Sequence, residues 1–246
     1  MPADARKLAA LRRQATSWAE TAGLSEDAVY DLELAIGEAA ANVVDHAYPA
    51  GEGAFDTALE STGRGVRVTV ADQGRWRPQP EDKGYRGRGL AMIRMLSDDV
   101  DLEAGDEGTT IRFHVPAEQE RGPATTPEPA PAAPPAAPAP TSGLTDDTDD
   151  RVQRIFLTGD LDIATVEDLR APLLARVDTA DDRPVELDLT GLAYLSSSGV
   201  ALLLHAKASA HERGRDLTLT ARTGSAPARI LDLSGLDHVT RNQNRP

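Results

Sequence analysis

The stretch Pro127-Glu128-Pro129-Ala130-Pro131-Ala132-Ala133-Pro134-Pro135-Ala136-Ala137-Pro138-Ala139-Pro140 limits what this chain can fold into more than any other. It carries no core-forming residue larger than Ala, so burial cannot offset the entropy of ordering it. The composition changes sharply at Pro116 and stays changed to Asp150. Residues 118–150 read as a semi-rigid, extended Pro/Ala-rich linker that closes on the acidic patch Asp146-Asp147-Thr148-Asp149-Asp150, a solvated spacer. The 246 residues therefore divide into two small domains, 1–117 and 151–240, with a frayed tail at 241–246.

Composition narrows what those domains can do. Hydrophobic residues make up 40% of the chain and aromatics 4%, so aliphatic and Ala packing must build the cores. A net charge of −14 argues against a nucleic-acid surface, which needs a basic stripe, and disfavours docking on anionic membrane. The absence of Cys excludes disulfides and thiolate metal sites and fits a reducing cytoplasm. The N-terminus has no apolar signal core. No apolar run approaches the roughly 20 residues that a membrane helix needs. A cytoplasmic protein with neither nucleic acid nor membrane as a direct partner is expected.

In the first segment, Leu8, Leu11, Ala15 and Trp18 trace one helical face, with Arg12 and Arg13 beside it. Gly23 suits a helix C-cap and Ser25 the N-cap of the next helix, with Glu26 and Asp27 in its first turn. That helix runs to Tyr48-Pro49, because proline disfavours helix in the residue before it. Phe55–Glu60 and Val66–Val70 alternate at period two around Ser61–Gly65, the pattern of a β-hairpin. Arg77–Lys83 reads as a loop. Gly84–Leu90 is a glycine-rich entry to a helix over Ala91–Leu96, and glycines there let backbone N–H groups approach phosphate. Val100–Leu102 and Thr109–Val115 read as two further strands.

The helix opened by Ser25 carries the first chemistry. Leu32, Ile36, Ala39, Ala40, Val43 and Ala47 form its apolar face, while Glu38, Asn42 and Asp45 stand at i, i+4 and i+7 on another stripe. An acid one turn before an amide can take a proton from a nucleophile while the amide oxygen holds a hard cation. Taken alone, the same stripe could be no more than the solvated face of an amphipathic helix.

The second segment alternates strand and helix, which implies an α/β sheet with crossovers. Val152–Leu157 is a strand and Thr158-Gly159-Asp160-Leu161-Asp162 a turn. Thr165 caps a helix over Val166, Leu169, Leu173 and Leu174. Pro184–Leu189 is a strand, Ser196–Gly199 leads into a helix to about Arg213, Asp216–Thr220 is a strand and Ala226–Leu233 a helix.

Four motifs in fixed order make the first domain resemble the GHKL ATPase superfamily, and within it the serine kinases that act as bacterial anti-sigma factors. They are Glu38-x-x-x-Asn42, Asp72-x-Gly74, Gly87-x-Gly89 and Gly108-Thr109-Thr110. The resemblance implies ATP and Mg2+ as cofactors. It casts Glu38 as general base on the attacking hydroxyl and Asn42 as the magnesium ligand. Asp72 would accept a hydrogen bond from the adenine amino group, with Gly74 allowing close approach. Gly87, Arg88 and Gly89 would belong to the ATP lid, and Thr109 or Thr110 would back the adenine. Phosphoryl transfer mainly needs such positioning, metal and charge neutralisation. Members of the family usually have a strand before the first helix. Here helix-like sequence starts almost at Met1, which implies a truncated start or an open sheet edge.

The second domain resembles the STAS domains of anti-sigma factor antagonists through Gly159-Asp160-Leu161-Asp162 and Leu195-Ser196-Ser197-Ser198-Gly199. By that resemblance Ser197 is the phosphoacceptor, and Ser196 stands where the family usually has Asp. The N-terminal strand of this domain looks short or absent.

Fold class and function follow as expectations: an α/β (α+β) chain, a GHKL ATPase sandwich joined by its linker to a STAS domain. The resemblance implies sigma-factor partner switching, with an anti-sigma serine kinase fused to its own STAS antagonist. The phosphorylated STAS serine would be its own or another chain's. Partners would be a sigma factor or other anti-sigma and STAS proteins, with a homodimer possible. The alternative is a non-catalytic, nucleotide-responsive adaptor that binds partners through its STAS domain.

Overall fold

A Ser25 hydroxyl fixes where the central helix of the first unit begins. Its Oγ accepts the Ala28 N–H at 3.3 Å and donates to the Ala117 carbonyl at 3.0 Å, tying the helix start to the end of a distant strand. The structure is a computed structural model and describes residues 1–47, 53–74, 88–105, 108–117, 142–148, 151–179 and 183–242. It divides into two units, Met1–Pro123 and Ala124–Pro246.

In the first unit, α1 (Leu8–Thr21) ends as predicted at Gly23, whose φ is +78°. Gly23 N–H bonds the Glu20 carbonyl and Leu24 N–H the Ala19 carbonyl, a Schellman closure. Helix α2 (Glu26–Asn42) is buried on nearly every side and passes into a π-helical turn over Val43–Ala47. Tyr48 and Pro49 lie outside the described residues. The strands β1 (Phe55–Thr62), β2 (Gly65–Asp72), β3 (Asp98–Gly105) and β4 (Gly108–Pro116) form an antiparallel sheet in the order β1-β2-β4-β3. Val66, Val68 and Val70 face the helices beside their partners Val115, Phe113 and Ile111. Helix α3 (Arg88–Leu96) starts three residues earlier than the sequence pattern suggested. The predicted loop 77–83 lies outside the described residues.

The expected gap at the sheet edge is partly filled. Phe55 N–H donates to the Met1 carbonyl and Ala3 N–H to the Gly53 carbonyl, and Pro2 bridges Ala54. Three residues thus run along β1 as a rudimentary edge strand, too short to leave a period-two signal.

The second unit is a sheet in the order β5-β6-β7-β8-β9 with α4 (Val166–Val177), α5 (Ser197–Glu212) and α6 (Ala226–Leu233) between its parallel strands. Several expectations are corrected here. Residues Gly143–Thr148, read as the end of a spacer, form β5, antiparallel to β6 (Gln153–Leu161). This is also the N-terminal strand that looked absent. On this strand the Asp146 carboxylate accepts from Arg176 of α4 at 3.1 Å.

Thr158–Leu161, read as a turn, continues β6: Asp160 pairs with Tyr194 and Leu161 with Leu195 of β7 (Val185–Leu195) after register shifts. At both shifts the extra residue lies on β7, so β6 runs through Gly159 unbroken. Thr165 holds the N-cap position of α4, but its hydroxyl bonds the Asp160 carbonyl at 2.8 Å instead of a helical N–H. At the far edge, β8 (Leu217–Arg222) pairs with β9 (Val239–Arg241), so the tail begins after a strand. Arg241 is held there by the carboxylates of Glu186 at 2.8 Å and Asp188 at 3.2 Å.

Candidate functional site

Glu38 and Asn42 stand on successive turns at the C-terminal end of α2. The solvated-face alternative for this stripe does not hold for the acid: Glu38 is 2% exposed. Asn42 is half-buried, and Asp45, beyond the start of the π turn, is exposed. Helix α3 brings its second residue, Gly89, against both groups. A Cβ on Gly89 would lie 2.7 Å from Glu38 Oε2 and 3.4 Å from Asn42 Oδ1. Only a residue without a side chain lets α3 approach the acid and the amide this closely. Two motifs far apart in sequence therefore share one place.

Asp72 ends β2 directly opposite Thr109 of β4. Its carboxylate Oδ1 accepts the Gly74 N–H at 2.7 Å, and Thr109 N–H is a second backbone donor. Burial still raises the carboxyl above its ordinary range, with the two N–H groups opposing that shift. Gly108 fits the β3–β4 turn tightly against this strand end: its φ is +137°, and a Cβ there would fall 2.0 Å from the Asp72 carbonyl oxygen. Thr109 is buried, and its Oγ1 has no hydrogen-bond partner among the described residues.

Strand alternation separates the two candidate threonines. Thr109 shares the helix-facing side with Asp72, Ile111 and Phe113, while Thr110 pairs Ala71 and Glu103 on the opposite side. Thr110 is therefore not brought together with the others. Arg88 is half-buried as the first residue of α3. Gly87 lies outside the described residues.

In the second unit Ser196 is the N-cap of α5 and Ser197 its first residue. Ser196 is buried at 4% exposure; Ser197 and Ser198 are half-buried. The Leu161 carbonyl at the end of β6 accepts from both Ser196 N–H at 3.0 Å and Ser196 Oγ at 3.1 Å. The N-cap was visible as a serine before a helical pattern. The Leu161 contact spans 35 residues and left no sequence signal.

Comparison with known families decides what these units are. The model of the histidine kinase-like ATPase domain matches residues 1–115, and that of the Mlab, STAS domain matches residues 144–241.

The chain is a GHKL-type ATPase domain fused to a STAS domain.

The ATPase domain is similar to the serine-protein kinase RsbW of Bacillus cereus (strain AH820), with 29% identity over 126 residues, 45% of this chain and 78% of the relative. A crystal structure of the RsbU and RsbW domains of a Mycobacterium tuberculosis protein shares 26% identity with a TM-score of 0.38, over 47% of this chain and 31% of that one. This chain thus corresponds to under a third of that structure's length. An anti-sigma factor antagonist from Mycobacterium paratuberculosis shares 26% identity with a TM-score of 0.34, over 39% of this chain and 81% of that one. Among the described residues, no helix is long and apolar enough to cross a membrane.

Proposed function

We propose that this chain is an ATP-dependent anti-sigma protein serine kinase fused to its STAS antagonist, phosphorylating Ser197 of its own or another chain's STAS domain. The observation that carries the proposal is the meeting of Glu38, Asn42 and Gly89, an acid and an amide oxygen against the start of a glycine-led helix. The RsbW relatives, named serine-protein kinases, support the same activity.

The residues present fit ATP and magnesium. A buried threonine hydroxyl without a partner among the described residues and a buried carboxylate beside it are the polar edge that a purine amine can complete. The N-terminal end of α3 offers backbone N–H groups to phosphate. Asn42 contributes one amide oxygen, in keeping with magnesium held mainly by phosphates and water. When bound, magnesium supplies neutralisation of phosphate charge.

Glu38 is the base in this scheme. Glu38 would take the proton of the attacking Ser197 hydroxyl, while bound ATP would supply the phosphoryl group and ADP would carry away the leaving oxygen. Sigma factors and other anti-sigma or STAS proteins are the partners such a switch would exchange. Incubation of the full chain with ATP and magnesium, followed by phosphosite mapping, should place phosphate on Ser197. Asn42→Ala should abolish the magnesium-dependent part of ATP affinity measured by calorimetry. Binding of ATP with no phosphate on any serine would replace this proposal by the adaptor alternative.

A further inference from the structure

We propose that Ser196 is a positioning residue that decides which of three adjacent hydroxyls the kinase can use, by tying down the proton of Ser198. The inference rests on the assignment of Ser197 as acceptor and adds the reason its neighbours are silent.

Ser196 Oγ lies 3.1 Å from the Leu161 carbonyl oxygen, 3.2 Å from Gly199 N and 2.7 Å from Ser198 Oγ. A hydroxyl has one proton and two accepting lone pairs. The carbonyl can only accept and the Gly199 N–H can only donate. The Ser196 proton therefore goes to Leu161, one lone pair takes the Gly199 N–H, and the other must take the Ser198 proton. With Ser196 donating to Ser198 instead, two oxygens would face each other across 3.1 Å with no proton between them. In the first arrangement every valence of Ser196 is used inside a site that is 4% exposed.

Chemistry follows from that assignment. A serine becomes a nucleophile as its proton leaves for the base. The Ser198 proton already belongs to a buried oxygen, and releasing it would leave a lone pair of Ser196 unsatisfied. Ser196 cannot serve either, because burial hides it and its own proton holds the loop to β6. Ser197 stands half-exposed at the first position of α5. An Asp at position 196 could accept from Gly199 and Ser198 but could not donate to Leu161. The serine thus holds the β6 end and places no second negative charge beside a phosphate on Ser197.

The test compares the full chain with Ser196→Ala and Ser196→Thr. After labelling with ATP and magnesium, Ser197 should exceed Ser198 by about tenfold or more in the unsubstituted chain, the weight of one hydrogen bond. Ser196→Thr keeps the hydroxyl and should keep that ratio; Ser196→Ala should split the phosphate between Ser197 and Ser198. Confinement to Ser197 in Ser196→Ala, or splitting in Ser196→Thr, would overturn the proposal.

A second measurement needs no kinase activity: the deuterium isotope shift on serine Cβ in mixed water, which reports hydroxyl exchange. Ser198 should exchange slowly in the unsubstituted chain and in Ser196→Thr, and fast in Ser196→Ala. Fast Ser198 exchange in the unsubstituted chain sinks the tie between the two hydroxyls. Absence of phosphate from all three serines would remove the acceptor assignment, while the exchange measurement still decides the role of Ser196.

Discussion

The proposed ATP site and the proposed acceptor loop treat buried polar atoms in opposite ways. Around Asp72 the ATPase domain leaves the Thr109 hydroxyl without a partner among the described residues and holds a carboxyl that burial pushes upward. Around Ser196 the STAS domain closes the hydroxyl on a carbonyl, an N–H and a second hydroxyl. Unfilled valences cost stability until a ligand completes them. A closed network fixes the group it presents. The difference suits a site that receives a molecule and a loop that offers one.

The comparison breaks most sharply at Glu38. Glu38→Gln keeps the size of the buried side chain but cannot take a proton. Transfer to serine should fall by about 10²–10⁴-fold with ATP affinity nearly unchanged. Equal turnover by the two proteins would remove Glu38 from the chemistry.

A smaller loss is expected from Gly89→Ala. The new methyl would press on Glu38 Oε2, the far end of a flexible side chain, so the fold should survive while the carboxylate moves. A displacement of that kind costs about 10²-fold in transfer. Circular dichroism and melting temperature should match the unsubstituted chain; a collapsed fold, or unchanged transfer, would show that the approach of α3 is not what sets the acid.

The smallest effect sharpens the cost side of the comparison. The carboxyl of Asp72 is raised in the folded state above its ordinary 3.8. Below that value both states are protonated and the group contributes nothing. As pH rises through the raised value, the unfolded chain has released its proton while the folded one still binds it, so stability falls. Asp72→Asn has no such response. The stability of the unsubstituted chain relative to Asp72→Asn should therefore decline from pH 3.8 upward and level off above the folded value. Urea unfolding read by Trp emission checks it, since Trp18 and Trp76 both lie in the first unit. A relative stability that rises over the same range would reverse the sign and with it the claim of a desolvated carboxylate.

Much of the molecule was legible because the rules involved are local. The Ser25 cap, the Gly23 stop, the β1–β2 hairpin and the Ala226–Leu233 helix each depend on residues within a few positions of one another. The order of the four ATPase motifs was equally readable. What failed was polarity used as a guide to exposure. Taken alone, the polar stripe left Glu38 open to a solvated reading, yet α1, α3 and the sheet close around α2 and bury it. The patch at Asp146-Asp147 looked like a spacer, yet it supplies an edge strand whose outward carboxylates suit solvent and Arg176.

The sequence by itself indicated two domains, most of their elements and the candidate residues for the chemistry, because periodicity, caps and motif order are written along the chain. Tertiary structure alone decided which of those residues meet. Placing Gly89 on Glu38 needs two helices to pack. Choosing Thr109 over Thr110 needs one face of β4 to be covered. Setting the direction of the Ser198 hydroxyl needs a carbonyl brought in from the end of β6. Each is a contact between segments distant in sequence, fixed by packing density and hydrogen-bond closure that no local pattern encodes.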